Sequence, residues 1–477
     1  MMSLLTPIVL LTACRDAPDD SAAAAEVSLT RLRAEGTQIV DESGETVSFR
    51  GVALGGWNFL ETWIPLMAYT EHGRAVQLAD EQGVGAEVRS AIAEIGPGDG
   101  AEWRAALAAS LSASLSEDAI AALISSLEAY PLLWDDSDLA LRQVLETRFG
   151  AEARDELLDT YQRAWFNEAD VAWLAEEGFN VVRIPLGYRG LTTHMVDEDL
   201  TELRYNELAF SRIDEVLDWC EQYGIYAVID LQESPGGHND YSGVGTLYED
   251  PDMQALTVAL WDELSRRYSE RDVVAAYSLL AEPMAAPSAD ARDEMYDQII
   301  QAIRARGDDH LLVLHDGFQG MASFPQPEEM GWDNVVYSTH IFEWGADSLE
   351  LYQAYIIFLE STITLAQDTH QVPYYVGSFS TFLDEDWAYE AAGEMRRLFE
   401  RAGWGWTLWT YKRLDDPVDA ELFGDSSSWG VRGGVPSGFT RPDPQRQSLE
   451  ELQAAYAGYA EVTTTANEAL LQALLGE

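Results

Sequence analysis

The chain of 477 residues is long enough to bury a large core, either as one elaborated barrel or as two domains. Its formal net charge at pH 7 is −54, from 83 acidic and 29 basic residues, which disfavours binding to nucleic acid or anionic lipid. The same charge favours a neutral ligand, and the aromatic content of 11% is typical of a protein that offers flat apolar faces to a ligand. Because the acidic excess is spread along the chain, we interpret it as surface solvation and not as an acidic recognition tail.

The N-terminal segment predicts export. Residues 1–14 contain an apolar run too short to span a bilayer, and Leu11-Thr12-Ala13-Cys14 resembles the bacterial lipobox, in which the cysteine carries lipid. Residues 15–30 then form a flexible tether, and the protein reaches a membrane of the cell envelope only through this anchor. Cys220, the other cysteine, continues an apolar helical series and is expected in the core, so no disulfide is predicted.

The first barrel strand is predicted at residues 46–54. It is followed by a helical insertion at about residues 68–148, in which Ser116 precedes an apolar face formed by Ile120, Leu123, Ile124 and Leu127. Two interpretations stay open. The insertion either walls the C-terminal rim of the barrel or elaborates the fold without contacting a ligand.

From residue 168 onward one unit repeats: an amphipathic helix, a glycine, then an apolar strand. Gly178, Gly224 and Gly403 mark three of these joints, because glycine takes the left-handed helix-cap conformation without steric cost. Further strands are predicted at residues 179–184, 225–231, 273–280, 311–315, 335–340, 374–377 and 404–409. Eight strands alternating with helices predict a closed α/β (β/α)8 TIM barrel over residues 31–460, with a helical tail at 461–477. The rival, a doubly wound open sheet, is disfavoured because no glycine-rich phosphate loop follows an early strand.

Polar residues collect where these strands end. The central one is Glu282, which follows the uncharged run 276–281 and precedes Pro283. Its carboxylate is either a functional group of the site or a structural partner in a salt bridge at the rim. The others, at the ends of successive strands, are Glu61, Arg183, Gln232, Glu233, His315, Asp316, His340, Ser378 and Trp409. Their shared position at one end of the barrel predicts a common site.

Several motifs resemble glycoside hydrolase family 5, particularly its exo-β-1,3-glucanase-like branch. They are Arg50-Gly51-Val52-Ala53-Leu54-Gly55-Gly56-Trp57 with Glu61 and Trp63, the segment 179–188, Leu280-Ala281-Glu282-Pro283, His340, and Trp406-Thr407-Leu408-Trp409. The resemblance implies that Glu282 is the catalytic acid/base and that Glu61, Arg183, Gln232, His340 and Trp409 bind substrate. The implied partner is a β-glucan or a related neutral oligosaccharide, with no cofactor and no metal.

One position departs from the family pattern decisively. Retaining hydrolysis needs two carboxylates, and the nucleophile is expected at the end of strand seven within Gly-Glu-Phe, where this chain has Gly377-Ser378-Phe379. Ala281 and Gln232 also replace the expected asparagine and histidine. A serine without a paired base attacks an acetal poorly, so ordinary retaining activity is doubtful.

Alternatives for the missing group remain. Glu233, Glu343, Asp384 and Glu385 are candidate replacement carboxylates, and a base set further from Glu282 would give inversion. A serine-hydrolase pair of Ser378 and His340 is disfavoured because the Gly-x-Ser-x-Gly elbow is absent. Arg183 is expected to pair with Glu282 or with a substitute rim carboxylate.

The aromatic residues complete the expectation. The candidate sugar-stacking residues are Trp57, Trp63, Tyr188, Trp344, Trp406 and Trp409, with packing in the barrel core or against helices as the alternative. Of the two on the last strand, Trp406 is predicted in the core and Trp409 in the cleft. The leading hypothesis is a family 5-type glycosidase of β-glucan with a compromised nucleophile. The competitors are a non-catalytic glycan-binding surface lipoprotein, that is, a pseudoenzyme, and a scaffold whose cleft no longer binds sugar.

Overall fold

The structure, a computed structural model, describes residues 29–130, 133, 137–193, 200–239, 245–343, 345–382, 385–423, 429–437 and 439–476. Eight parallel strands close into a barrel in sequential order, the last pairing with the first. They are β1 Arg50–Ala53, β2 Val181–Gly187, β3 Tyr226–Glu233, β4 Val274–Ser278, β5 Leu311–His315, β6 Val335–Ile341, β7 Tyr374–Phe379 and β8 Gly405–Leu408. The predicted (β/α)8 TIM barrel is confirmed.

The barrel interior changes character along the strands. Near the strand starts it is filled by apolar side chains such as Val181, Val228, Leu311, Val336 and Tyr375, which form one buried cluster. Because successive side chains of a strand alternate between the two faces, the residues two positions later also point inward. Three of those five positions carry polar side chains, Arg183, Asp230 and Ser338, so polar groups enter the barrel interior above the apolar cluster.

The N-terminal end of the barrel is closed by a hairpin that the sequence did not predict. Its strands, Arg33–Glu35 and Gln38–Val40, pair antiparallel. The chain is already fixed before the hairpin, because the Thr30 amide donates to the Tyr226 hydroxyl at 3.2 Å. Thr30, predicted to be the last residue of the tether, is therefore bound to the barrel, and Cys14 with the rest of residues 1–28 lies outside the described residues.

The helices that surround the barrel follow the predicted grammar. They include Glu168–Glu177, Glu207–Tyr223, Pro251–Tyr268, Ala289–Ala305, Leu349–His370, Asp386–Ala402 and Leu449–Ala457, with short helices at Tyr188–Leu191, Pro327–Met330 and Pro417–Phe423. Gly178, Gly224 and Gly403 cap three of them in the left-handed conformation, as expected. Cys220 is fully buried in the core, where burial raises the pKa of its thiol to about 12.

The insertion is helical, as predicted. Its helices are Glu71–Gln82, Gly85–Ile95, Gly100–Leu111, Glu117–Glu128 and Ser137–Phe149, and the helix Ala151–Trp165 leads back to the barrel. Ser116 caps the fourth helix by accepting from the Ala119 amide, and Leu123 and Leu127 of the predicted face are buried. The first four helices share an apolar core separate from the barrel's.

The C-terminal segment is part of the barrel assembly. Thr465–Ala466 pairs with Arg432–Gly434, which in turn pairs with Lys412–Leu414 in a small sheet. The helix Glu468–Leu475 buries Leu470, Leu471 and Leu474. The predicted tail is thus only partly helical. Across the described residues, no helix is both long enough and apolar enough to cross a membrane.

Candidate active site

Glu282 lies in the turn that follows β4. Its side chain is buried, and its backbone has φ 54°, an uncommon conformation for a residue with a side chain. Nδ1 of His340, at the end of β6, donates to Oε1 of Glu282 over 2.5 Å. Strained conformations of this kind persist only where the surroundings hold them, and they cluster at active sites.

A histidine that the sequence analysis missed helps to hold this turn. Nε2 of His238, in the loop after β3, donates to the carbonyl of Ala281 at 2.7 Å, and its Nδ1 accepts from the Ser234 hydroxyl at 2.9 Å. Burial lowers the pKa of His238 to about 4, so the ring is neutral near pH 7. His238 therefore fixes the backbone immediately before Glu282.

His340 is itself held by its neighbours. Its backbone amide donates to Nε2 of His315, and the two rings meet edge to face with centroids 4.5 Å apart. Burial lowers the pKa of both rings well below the usual range. A neutral His340 that donates from Nδ1 must carry its proton there, which fixes the tautomer facing Glu282.

Ser378 reaches the same side of the barrel wall as His340 through a β-bulge in β7. Thr339 pairs with Val376, but His340 pairs with Ser378, so Gly377 is the extra residue. Gly377 also makes room for the histidine, because a Cβ there would lie 2.9 Å from Nε2 of His340. The Ser378 hydroxyl is buried and has no hydrogen-bond partner among the described residues. A Ser378–His340 nucleophile pair is accordingly not formed.

Arg183 is buried within the barrel and pairs with an acid that was not anticipated. Its guanidinium donates to Asp230 at 2.8 Å and to Gln232 at 3.1 Å, both on β3. The expected partner was Glu282 or a substitute carboxylate at the rim, whereas Asp230 lies inside the barrel, two residues before Gln232. Burial raises the pKa of Asp230, while Arg183 acts in the opposite direction.

Glu61 sits in the loop after β1, and the insertion holds that loop. The Leu60 amide donates to Asp138 at 3.0 Å, and the Thr62 hydroxyl donates to the carbonyl of Leu133 at 2.9 Å. Glu61 is partly buried, with its Oε2 enclosed and without a hydrogen-bond partner among the described residues. Burial and the nearby charge of Glu282 raise its pKa to about 8, against the pull of Arg183. One role of the insertion is therefore to position a site residue.

A row of contacting rings, here called the aromatic wall, consists of Trp63, Trp429, Phe382 and Phe342 and differs from the predicted set. Trp63 packs against Trp429, Trp429 against Phe382, and Phe382 against Phe342, with centroids 5.0 to 5.5 Å apart. Trp409 directly follows β8, and its ring centroid lies 6.0 Å from the Arg183 guanidinium.

Two of the aromatic assignments were wrong, because Trp57 and Tyr188 are buried in the core and leave no face for a sugar. Trp406 is buried in the core, as predicted. Trp344 lies outside the described residues. Trp429, which follows β8 by some twenty residues, lacks any local motif that could have singled it out.

Three of the four candidate replacement carboxylates already have partners in the structure. Glu233 pairs with Arg189, and both side chains are buried. Glu343 accepts from the Gly345 amide at 2.9 Å, and Glu385 accepts from the indole of Trp387. Asp384 lies outside the described residues. Among the described residues, no group of three His, Cys, Asp or Glu side chains is placed to hold a metal ion.

The arrangement therefore separates two chemical tasks. A buried carboxyl with an oriented histidine is suited to proton transfer at Glu282. At the end of β7, Ser378 presents a hydroxyl at the position where the family resemblance predicts the second carboxylate of a two-carboxylate mechanism.

These features agree with the comparison to protein families. The model of the cellulase family, glycosyl hydrolase family 5, matches residues 149–414, more than half of the chain. The chain belongs to glycosyl hydrolase family 5.

Individual relatives share low sequence identity with the chain. The chain is 26% identical over 317 residues to a beta-xylosidase of Phanerodontia chrysosporium, covering 65% of this chain and 51% of that protein. It is 26% identical over 228 residues to a glucan 1,3-beta-glucosidase of Schwanniomyces occidentalis, covering 45% and 52% respectively. The chain thus spans about half the length of these relatives.

Among solved structures, the chain resembles an endogalactoceramidase with a TM-score of 0.51. The two share 17% identity, and the match covers 90% of this chain and 85% of that one. At this identity the likeness supports the barrel fold alone.

Proposed function

We propose that the barrel accommodates a β-glucan-type chain and that its capacity for ordinary retaining hydrolysis is impaired. Membership of glycosyl hydrolase family 5 and a relative named as a glucan 1,3-beta-glucosidase support the substrate class. The observation that carries the impairment is the Ser378 hydroxyl, which is buried, aligned with His340 and without a hydrogen-bond partner among the described residues.

The physical reason lies in the charge of the reaction. Glycoside cleavage passes through an oxocarbenium-like state, and in a retaining enzyme a carboxylate stabilises and then captures it. A neutral hydroxyl with no base supplies neither function. Glu282 keeps the geometry of a proton donor, so the site retains one half of the machinery.

The test restores the missing group. Ser378→Glu should raise hydrolysis of an aryl β-glucoside by at least about a hundredfold, the low end of what one positioned catalytic group contributes. The double variant Ser378→Glu/Glu282→Gln is the matched control and should lose that gain. Wild-type hydrolysis already as fast as in the restored variant would contradict the impairment.

Glycan binding without cleavage is the second candidate, and the aromatic wall favours it. Trp63 and Phe382 are partly exposed and both pack on the buried Trp429, and stacking on sugar faces needs no nucleophile. Calorimetry with laminari-oligosaccharides should give binding that Trp63→Ala weakens about tenfold, roughly 1.4 kcal/mol. Unchanged binding in this variant would place the sugar elsewhere.

We also propose that the protein is exported and carries lipid on Cys14, so that it works in the cell envelope or outside the cell. The support is the lipobox-like Leu11-Thr12-Ala13-Cys14. Mass spectrometry of the mature N-terminus should find a lipidated cysteine that Cys14→Ser abolishes. An unmodified N-terminus upstream of Cys14 would overturn this assignment.

A further inference from the structure

The helix Leu349–His370, which precedes β7, carries a concentration of exposed apolar side chains. It holds four of the seven large hydrophobic side chains that are exposed in the described part of the chain, each between 50% and 69% exposed. They are Leu351, Ile357, Phe358 and Leu365. The buried side of the helix joins the main core through Ile356, Leu359 and Ile363. Single exposed hydrophobic residues are normal, whereas a group of them on one helix marks an interaction surface.

Three of the exposed side chains form a regular line, here called the apolar row. Leu351, Phe358 and Leu365 are spaced seven residues apart, which is nearly two helical turns, so they follow one another along the outer face. Ala354 and Thr362, four residues before and after Phe358, are small and leave room beside its ring. The apolar row is therefore symmetric about Phe358, because reversing the helix direction exchanges the two leucines and leaves the phenylalanine in place.

The same stretch of helix is almost free of charge within a strongly acidic chain. Residues 351–367 contain one charged side chain, Glu360, and Arg401 of the next helix pairs with it at 3.2 Å. Two copies of a chain with a net charge of −54 repel each other in most orientations. At the apolar row, two copies can approach without bringing unpaired like charges together.

A lipid bilayer fits this surface less well than a second copy does. Helices that lie on a membrane surface carry lysine and arginine beside their apolar face, and the helix Leu349–His370 has neither residue. The net charge of −54 also repels anionic lipid. A second copy needs only a matching apolar row, and every copy of the chain has one.

We propose that two copies of this chain pair through the apolar row as a two-fold dimer in which the helices Leu349–His370 run antiparallel. Phe358 then meets the partner's Phe358 at the axis, and Leu351 meets the partner's Leu365 on either side of it. This pairing is self-complementary, as a two-fold interface must be.

The size of the apolar row sets the expected strength of the dimer. At 1.5 Å per residue the 22-residue helix is about 33 Å long, and a face about 10 Å wide offers on the order of 300 Å² per copy. Stable interfaces bury roughly 800 Å² per partner. The dimer is therefore expected to exchange with monomer and to dissociate on dilution.

Sedimentation velocity over a concentration series tests the association, with the full chain carrying Cys14→Ser as the parent. The parent should show monomer and dimer in exchange. Phe358→Glu and Leu365→Glu should each weaken the dimer at least about tenfold, because they bring like charges into contact across the interface. Leu449→Glu, which removes an exposed hydrophobic side chain from another helix, is the matched control and should dimerise as the parent does.

Two results of this series would overturn the proposal. One is a parent that stays monomeric up to about 0.5 mM, and the other is an equal loss of dimer in Leu449→Glu. Thermal unfolding of each variant checks that it is folded, which is expected because the substituted side chains are exposed.

Cysteine cross-linking tests the antiparallel register. In the Cys14→Ser parent the remaining cysteine, Cys220, is buried and does not compete. Phe358→Cys should form a disulfide-linked dimer on its own. Leu351→Cys and Leu365→Cys should cross-link only when the two variants are mixed, because like positions lie about 21 Å apart along antiparallel helices, beyond the roughly 7 Å between Cα atoms that a disulfide spans. Cross-linking of either single variant as fast as the mixture would overturn the register.

Salt and lipid separate this dimer from other modes of association. Raising NaCl from about 0.1 M to 1 M shortens the Debye length from about 10 Å to about 3 Å, so it should tighten an apolar contact between two like-charged chains. Weaker association at 1 M NaCl would show an interface of ion pairs and would contradict the proposal. Flotation of a monomeric parent with phosphatidylcholine vesicles, lost in Phe358→Glu, would assign the apolar row to a bilayer instead of a second copy.

Discussion

The β4 side and the β7 side of the barrel mouth carry residues of similar burial but very different connection. On the β4 side, Glu282 is tied to His340, and the turn before it is tied to His238. On the β7 side, Ser378 is equally enclosed, yet its hydroxyl meets no partner among the described residues. Burying a polar group without a partner costs free energy, so the β7 side keeps a feature that stability alone does not explain.

The β4 side keeps a connected network although the β7 side presents a serine in place of the expected carboxylate. The network around Glu282 is complete enough to fix a histidine tautomer and a rare backbone conformation. Ala281 and Gln232, which also differ from the family pattern, are both within hydrogen-bonded networks, since the Ala281 carbonyl accepts from His238 and Gln232 accepts from Arg183. Ser378→Glu therefore tests the position whose hydroxyl has no partner among the described residues.

The largest effect on stability is expected for Arg183, which is buried inside the barrel and pairs with Asp230. Arg183→Met leaves Asp230 as a buried charge without its guanidinium, which should lower the free energy of unfolding by about 3–5 kcal/mol. Denaturant unfolding measures it, and Arg163→Met is the matched control. Arg163 is 48% exposed and pairs with Asp159 at the surface, so its loss should cost below about 1 kcal/mol. Equal losses in the two variants would show that Asp230 is satisfied by other means.

Glu61 gives the next effect, seen as a pH dependence. Its pKa of about 8 in the folded protein exceeds the ordinary value of 4.5, so between these values the folded state holds a proton that the unfolded state has lost. Stability should therefore fall as pH rises from about 4.5 to 8. Glu61→Gln should remove about 2 kcal/mol of this fall, roughly half of what the full shift implies at about 1.36 kcal/mol per unit, because water screens a partly buried group.

The measurement is thermal unfolding of both proteins across that pH range. The gap between variant and wild type should widen in favour of Glu61→Gln toward pH 8. Parallel curves would mean that Glu61 is ionised in the folded protein.

His238→Ala sharpens the β4 side of the comparison. Losing the donor to the Ala281 carbonyl should cost about 1–2 kcal/mol near pH 7 and loosen the turn that presents Glu282. The folded pKa of about 4 lies below the ordinary 6.5, so the wild type loses stability as pH falls through that window, while the alanine variant does not. The difference between the two should shrink toward pH 4. Ser234→Ala, which removes only the bond to Nδ1, should give the smaller loss.

The barrel was accessible from sequence because its signals are local. Gly178, Gly224 and Gly403 mark helix ends by a conformation that glycine adopts readily, and the apolar strands are short and continuous. Glu282, His340 and Ser378 were found because each ends a strand, and parallel strands bring those ends together.

The remaining site residues depend on contacts between distant segments. Asp230 looks like one acid within a buried strand, and only the closed barrel shows that it faces Arg183. His238 lies in a Gly-rich loop, and its role depends on the Ala281 carbonyl 43 residues later. Trp57 was predicted to line the cleft because it follows Gly55-Gly56. Its indole instead donates to the Gln162 carbonyl, in the helix that leads from the insertion back to the barrel. The bulge at Gly377 depends on pairing with β6, and no local pattern encodes it.

The smallest effect tests the contrast itself. Ser378→Ala removes a hydroxyl that has no partner among the described residues, so the free energy of unfolding should change by less than about 0.5 kcal/mol, or rise slightly as a desolvation cost disappears. The control is Ser265→Ala, an equally buried serine whose hydroxyl donates to Asp308 at 2.8 Å, where the loss should be about 1–2 kcal/mol. If both serines cost the same, Ser378 has a bound partner in solution, and the β7 side is as connected as the β4 side. If only Ser265 matters, the Ser378 hydroxyl contributes nothing to folding, and a serine at this position comes at no cost to the rest of the barrel.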